Sequence, residues 1–288
     1  MRALPDVASL AALFDGFILD QWGVLHDGTR PYPGAVDCLW QLHAAGKRIV
    51  LLSNSSKREA ETVSLMAGMG FDTAAIDHVV SAGEEARKAL SAQRLGKRCY
   101  AFTRAGDRSL LEGIGLQFVD RVESADFLAV IGSDAPRRLV ADYEGELHAG
   151  VGRDLPMICC NPDTARFTPQ GLTEGQGVLA QRYEALGGRV FYYGKPHSPI
   201  YRACLAALAC PLDRVVAVGD SIEHDVLGAC RAGIRSVLIP GGVHAEALGI
   251  AWGELPSESK WQGFAANAPA RPDHLLAAFN WRKSRSAS

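Results

Sequence analysis

Short apolar runs alternate with amphipathic stretches along this chain, and that rhythm restricts it to an α/β fold whose parallel strands are buried on both faces. Phe17-Ile18-Leu19 is the first run and stops at Asp20. A helix is predicted after Pro33, through Val36, Leu39, Trp40 and Leu42 to about Gly46. Arg48 to Leu52 reads as the next strand, stopping at Ser53. Ser56-x-x-Glu59 has the form of a capping box opening a helix that ends near Gly70. His78-Val79-Val80 is a short strand, and Gly83 to Gln93 a helix.

From about Arg98 to Gly188 the texture changes to Gly-rich turns and short strands at Cys99 to Phe102, Phe127 to Ile131 and Met157 to Cys160. Helices are predicted over Pro136 to Ala149 and Gly177 to Leu186. The opening rhythm then returns: strand Val190 to Tyr193, helix Pro199 to Leu208, strand Val215 to Val218 ending at Gly219-Asp220, helix Ile222 to Ala232, strand Ser236 to Ile239. The expected anatomy is a doubly wound parallel-sheet core built from residues 1–82 and 189–288, with an α+β domain inserted over 83–188.

Composition excludes several function classes. Of 288 residues, 48% are hydrophobic and 22% charged, which is globular composition. With 30 basic and 32 acidic residues the net charge is −2, without the basic excess of a nucleic-acid binder; Arg282, Lys283 and Arg285 read as a frayed end. The seven cysteines are odd in number, form no CxxC pair and mostly sit in apolar segments, so neither a disulfide framework nor a zinc site is expected. The N-terminus lacks the pattern of a secretory signal, and no apolar run approaches the roughly 20 residues of a membrane helix. The expectation is a cytoplasmic protein without nucleic-acid or membrane partners. Trp252, Trp261 and Trp281 lie in an irregular C-terminal stretch, expected to pack on the core and compatible with a homo-oligomer interface.

Asp20, Ser53 and Asp220 each stand directly after a buried run, and Gly194-Lys195-Pro196 follows a fourth. In an open parallel sheet, ligands bind beyond the carboxyl ends of the strands. If these strands are neighbours, two carboxylates, a hydroxyl and an ammonium converge there. Carboxylates so placed repel unless a cation separates them, and a hard oxygen donor set suits Mg²⁺. Asp225, one helical turn further on, adds a third carboxylate. Each residue alone has a plain structural use: Asp220-Ser221 as a helix cap, Lys195 as a solvated loop lysine, Ser53-Asn54-Ser55-Ser56 as a capping loop.

With these residues in place the sequence resembles the haloacid-dehalogenase-like hydrolase superfamily, and within it subclass IIA, the branch of nitrophenylphosphatases and nucleotide- or sugar-phosphate phosphatases. The resemblance rests on Phe17-Ile18-Leu19-Asp20-Gln21-Trp22-Gly23-Val24-Leu25 with Gly28 and Pro33-Gly34-Ala35, Leu51-Leu52-Ser53-Asn54-Ser55-Ser56, Gly194-Lys195-Pro196, and Val218-Gly219-Asp220-Ser221-Ile222-Glu223-His224-Asp225. Val79-Val80-Ser81-Ala82-Gly83-Glu84 and Cys160-Asn161-Pro162-Asp163 are secondary matches, so the likeness runs from about Phe14 to Pro240.

The resemblance implies a Rossmann-like core with an inserted cap, and Mg²⁺-dependent hydrolysis of small phosphorylated metabolites through an aspartyl-phosphate. It makes Asp20 the nucleophile and puts the metal on Asp20, the Trp22 carbonyl, Asp220 and Asp225. Ser53 would bond the transferring phosphoryl group and Lys195 balance its charge. Trp22, Asn54, Asn161 and Asp163 would contact the substrate.

One position departs from the pattern. Family phosphatases carry an acid–base aspartate two residues after the nucleophile, where this chain has Trp22. An indole N–H can donate a hydrogen bond but cannot shuttle a proton near neutral pH. Three readings follow: a substrate with a good leaving group, replacement of the acid by His26, Asp27, His224 or Asp163, or a protein that binds phosphate compounds without fast turnover. Trp22 also resembles loosely the aromatic of carbon–halogen-cleaving relatives, but these use no Mg²⁺, and Asp220 and Asp225 favour one.

Gly175-Gln176-Gly177-Val178-Leu179-Ala180 fits G-x-G-x-x-A, but a polar loop rather than a buried strand precedes it. Those glycines are expected to open a helix whose N–H groups could face an anion. Asn161 and Asp163 equally fit an Asx turn on Pro162. The eight histidines show no metal-ligand spacing; His197, after Gly194-Lys195-Pro196, and His224, before Asp225, read either as surface residues or as residues that support the site, the surface reading being preferred.

Overall fold

The computed structural model describes residues 2–92, 95–168 and 171–282. Gln93, Lys283 and Arg285 lie outside the described residues. The chain divides into two compact units. One comprises the residues up to Ser53, Ala60–Val80 and those from Tyr201 onward; the other comprises Asn54–Glu59 and Ser81–Ile200.

The first unit is built on a seven-stranded sheet in the order Arg2–Ala3, His274–Leu275, Arg235–Leu238, Val215–Gly219, Gly16–Asp20, Arg48–Ser53, His78–Ser81. Gly16–Asp20 and Val215–Gly219 are buried at every position, the burial a strand needs when helices cover both faces of its sheet. Alternate residues serve the two faces. Phe17, Leu19, Ile49, Leu51, Val216 and Val218 join one cluster with Leu39 and Leu42 of helix Ala35–Ala44; Leu238 joins another with Ile222, Val226 and Trp261.

The C-terminal stretch is less irregular than its sequence implies. It holds helix Glu258–Ala265 and strand His274–Leu275, and the latter pairs in parallel with Arg2–Ala3. Two-residue strands carry no readable period, which is why the sequence conceals them. The tryptophans do pack this stretch on the core: Trp252 stacks on Tyr32 with ring centroids 3.5 Å apart, and Trp261 is buried. Among the described residues no helix is long and apolar enough to cross a membrane.

The second unit has its own five-stranded sheet, in the order Val190–Tyr192, Met157–Cys159, Phe127–Val130, Arg98–Phe102, Gln117–Phe118. All its pairings are parallel. The antiparallel element resides in a separate ribbon of Ala165–Thr168 and Gly171–Glu174. One face of the sheet, with Leu128, Val130 and Met157, packs on Leu147, Leu179 and Tyr183; the other, with Phe127, Ala129 and Ile158, packs on Ala86, Leu90 and Leu111.

Four local expectations are corrected. Val190–Tyr192 is an edge strand of this second sheet, in register with Met157–Cys159, rather than a strand of the core; its alternating partial exposure distinguishes it from the fully buried core strands. The helix expected from Pro136 begins only at Glu144, after a 3₁₀ turn over Val140–Tyr143. The Ser56 capping box does not form: the helix starts at Glu59, and Ser56 Oγ accepts from Gln176 Nε2 at 2.7 Å. Helix Gly177–Ala185 has no N–H group free for an anion at its start, because Gly177 N–H donates to the Asp163 carbonyl at 2.9 Å and the next two close on Gly175 and Gln176.

Candidate active site

In the core sheet the strand order reverses between Gly16–Asp20 and Val215–Gly219: from the former the chain moves outward to Arg48–Ser53 on one side, and the later strands build outward on the other. Strand ends separate at such a reversal and leave a crevice at their carboxyl edge. Register places the chemistry there. Leu19 pairs with Val218 and Asp20 with Leu52, so Asp20, Asp220 and Ser53 leave three adjacent strands at nearly one level. All three are buried, as is Asp225.

Main chain fixes the Asp220 and Asp225 carboxylates. Asp220 Oδ2 accepts from Val243 N–H at 2.7 Å. Gly23 faces the same carboxylate with φ +71°, and a Cβ there would lie 1.9 Å from Asp220 Oδ2, so both the backbone conformation and the space require glycine. Asp225 is placed by a departure from the expected helix. Ile222–Val226 is a π turn, closed by Val226 N–H on the Ser221 carbonyl, before the α-helix Leu227–Ala232. The wider turn lays Asp225 over Gly219, where a Cβ would be 2.1 Å from Asp225 Cγ, and Ser221 N–H donates to Asp225 Oδ2 at 3.2 Å.

The result is three buried carboxylates, Asp20, Asp220 and Asp225, that each offer one oxygen, the three lying within 4.8 Å of one another. Carboxylates this close and this buried favour a cation among them. An all-oxygen donor set with few protein ligands fits Mg²⁺. Position 22 is the remaining residue expected to bear on the metal, through its backbone carbonyl.

The Trp22 side chain is 53% exposed. Its ring occupies the space a Gly28 side chain would need, with ring atoms 2.3 Å from the Cβ position, and it meets His26 edge-on at 5.9 Å between centroids. His26 is fully buried and its Nδ1 accepts from Gly28 N–H at 3.0 Å. Burial lowers its pKa below the usual imidazole range, so it is neutral at pH 7. Asp27 is pulled down to about 2 by the N–H groups of Arg30 and Thr29 and by the Thr29 hydroxyl. Neither is a proton donor at neutral pH.

In the second unit, Asn54, Asn161, Asp163 and Lys195 form a polar knot. Asn54 Oδ1 accepts from Lys195 N–H at 2.6 Å; its Nδ2 donates to the Lys195 carbonyl at 3.3 Å and to Asp163 Oδ1 at 2.6 Å. The Asn54 amide thus fastens the Lys195 loop to Asp163. Asn161 Oδ1 accepts from Asp163 N–H at 2.8 Å, the Asx turn around Pro162. The Lys195 side chain is buried, which rules out a solvated loop lysine.

Three supports escaped the sequence reading. Tyr201 is buried and its hydroxyl donates to the His224 and Asp225 carbonyls at 3.2 and 3.1 Å, bracing the π turn. His244 Nε2 accepts from Ile222 N–H at 3.0 Å at the start of that turn. Val243 N–H holds Asp220. The available signal for the last two was Gly241-Gly242 directly after the strand run; Tyr201 had none beyond its place on an apolar helix face.

Comparison with known proteins agrees with this architecture. The haloacid dehalogenase-like hydrolase family model matches residues 17–117, and a second, HAD-hydrolase-like, matches 192–259. The 5'-nucleotidase YutF of Bacillus subtilis is 25% identical over 232 residues, covering 80% of this chain and 88% of that protein. The ribonucleotide monophosphatase NagD of Escherichia coli K12 is 28% identical over 231 residues, covering 78% and 87%. The crystal structure of a haloacid dehalogenase-like family hydrolase from Brucella suis 1330 superposes with a TM-score of 0.79 at 29% identity, covering 96% of this chain and 99% of that one. The chain belongs to the haloacid dehalogenase-like hydrolase superfamily, in its subclass IIA.

Proposed function

We propose that this protein is a Mg²⁺-dependent phosphoric monoester hydrolase of small phosphorylated metabolites, with Asp20 as its nucleophile. The observation that carries this reading is the buried set of Asp20, Asp220 and Asp225 at the switch point of the sheet. The names of YutF and NagD, both nucleotide phosphatases, support the same reaction class.

Bound among these carboxylates, Mg²⁺ would neutralise charge on the phosphoryl oxygens. An Asp20 carboxylate oxygen attacks phosphorus, and the bond from phosphorus to the leaving oxygen breaks with its electron pair. Water then attacks the aspartyl-phosphate, releasing phosphate and restoring Asp20. Ser53 hydrogen-bonds the transferring group, and Lys195 supplies a cation for it.

The leaving oxygen needs a proton in proportion to its basicity. Trp22 cannot give one, and His26 and Asp27 are neutral base and anion at pH 7. A missing general acid costs about 10²–10⁴ in rate, roughly 3–5 kcal/mol of barrier. Acyl and aryl phosphates escape that cost and alkyl phosphates do not. The same absence favours a second reading, a protein that binds a phosphorylated metabolite and turns it over slowly.

Phosphate release from esters graded by leaving-group pKa separates the two. The hydrolase reading expects Mg²⁺-dependent turnover of aryl and acyl phosphates that disappears in a folded Asp20→Asn variant. Unchanged turnover in that variant refutes it. Tight binding with no product in a single turnover transfers the weight to the second reading.

A further inference from the structure

Helix Ala35–Ala44 is apolar on more than the face it gives to the core. Ala35, Cys38, Leu39 and Leu42 are buried in the core cluster. Val36 and Trp40, four residues apart and so neighbours on the helix surface, lie outside that buried set: Val36 is half-buried and Trp40 is 46% exposed. A helix that only covered a sheet would carry polar residues at both positions.

Both side chains line a cavity of about 700 Å³, a volume that suits a small molecule. It lies wholly within the first unit. One wall is Pro31-Tyr32-Pro33, and this wall is already rigid. The prolines fix φ. The Tyr32 ring stacks on Trp252 at 3.5 Å between centroids, its N–H donates to the Leu25 carbonyl at 2.9 Å, and its carbonyl accepts from Ala35 N–H at 3.0 Å. Little ordering is left for a ligand to impose.

The lining carries two carboxylates, Asp37 and Asp72, and no basic side chain. They come from two elements, the first turn of helix Ala35–Ala44 and the cap of the 3₁₀ turn Thr73–Ala75. Among the described residues neither is paired with a cation. Asp37 Oδ1 accepts a long bond from Gln41 Nε2 at 3.4 Å, and Asp72 Oδ1 accepts from Ala74 N–H at 2.9 Å. The cavity therefore combines an indole, aliphatic walls and two negative charges.

We propose that this cavity binds a small aliphatic diamine. Two ammonium groups match the two carboxylates, the indole of Trp40 attracts a cation to its face, and an alkyl stem covers Val36 and the prolines. A neutral ligand would leave both carboxylates idle, and an anion would be repelled by them. The site uses none of Asp20, Asp220 and Asp225 and does not rest on the reaction proposed for them.

The test is calorimetric titration of 1,4-diaminobutane into the full chain at pH 7, low ionic strength and saturating Mg²⁺, which occupies the carboxylate cluster. The expected result is one diamine per chain, with binding that weakens as salt is added. Asp37→Asn and Asp72→Asn should each weaken it about fivefold or more. Trp40→Leu, which keeps an apolar surface but removes the π face, should weaken it about two- to fivefold. All three variants should unfold cooperatively near the wild-type temperature, because the changes are at exposed positions and asparagine keeps the cap at position 72. Butylamine should bind more weakly than the diamine, and 1,4-butanediol should give no saturable heat. No saturable heat from the diamine in wild type would overturn the proposal. So would wild-type affinity in both aspartate variants, or equal affinity for the diamine and either control compound. Loss of the heat in Asp20→Asn would also overturn it, by assigning the diamine to the carboxylate cluster.

Discussion

Replacing Trp22 with aspartate restores a titratable group at the position where this chain has none, and the structure permits a forecast of both its cost and its benefit. The indole is 53% exposed and its buried part rests on Gly28 and His26. An aromatic side chain can bury about 150–250 Å², so roughly half of that is lost, or about 2–3 kcal/mol at about 25 cal/mol per Å². Gly23, which seats Asp220, is untouched, so the carboxylate cluster should persist. The benefit is confined to substrates whose leaving oxygen needs a proton, about 10²–10⁴ in kcat/KM. The assay is kcat/KM for phosphate monoesters from nitrophenyl to simple alkyl, plotted against leaving-group pKa. Wild type should fall steeply with increasing pKa. Trp22→Asp should fall less, crossing above wild type at the alkyl end while changing little at the aryl end. Trp22→Asn removes the same packing without adding an acid, so the ratio of the two variants isolates proton donation. A shallow wild-type line, or parallel lines for the Asp and Asn variants, would refute the reasoning, because some other group would then already be supplying the proton.

Other perturbations probe the supports. Tyr201→Phe deletes the hydroxyl that braces the His224 and Asp225 carbonyls; it should lower unfolding stability by about 1–2 kcal/mol and raise the Mg²⁺ concentration for half-maximal turnover, both measurable on one preparation. Gly219→Ala puts a methyl group into the Asp225 carboxyl, and Mg²⁺-dependent turnover should be lost while circular dichroism still reports a folded chain. Asn54→Ala removes the bonds that fasten Lys195 to Asp163, expected at about 2–4 kcal/mol in urea unfolding with a parallel fall in kcat. His244 is held neutral by burial, its pKa below the ordinary 6.5, so the folded state binds fewer protons than the unfolded chain. Its stability contribution is therefore intact above pH 6.5 and declines as pH falls toward the lowered value. Urea unfolding at pH 7.5 and 5.5 should show a smaller pH difference in His244→Gln than in wild type.

The part of the site legible in the sequence is the part that obeys strand periodicity. Asp20, Ser53 and Asp220 announce themselves because each ends a buried run, and in a parallel sheet all such ends share one edge. Lys195 follows an apolar run too, and the same rule assigned that run to the wrong sheet: nothing in Val190-Phe191-Tyr192 says whether its neighbour is Val215–Gly219 or Met157–Cys159. Pairing is decided by long-range packing, on which a local period is silent.

The remaining determinants act through main chain. Asn54 clasps the Lys195 backbone, Val243 N–H holds Asp220, and Tyr201 braces two carbonyls of a π turn that no helical period distinguishes from an α-helix. Such contacts leave no spacing rule, because a backbone group is the same at every residue. Glycine is the exception: it marks the places where backbone must come close to a side chain. Gly23 and Gly219, each under a carboxylate, record in sequence where the charge is held. Gly132, pressed against the Arg104 backbone, records the same kind of approach in the second unit.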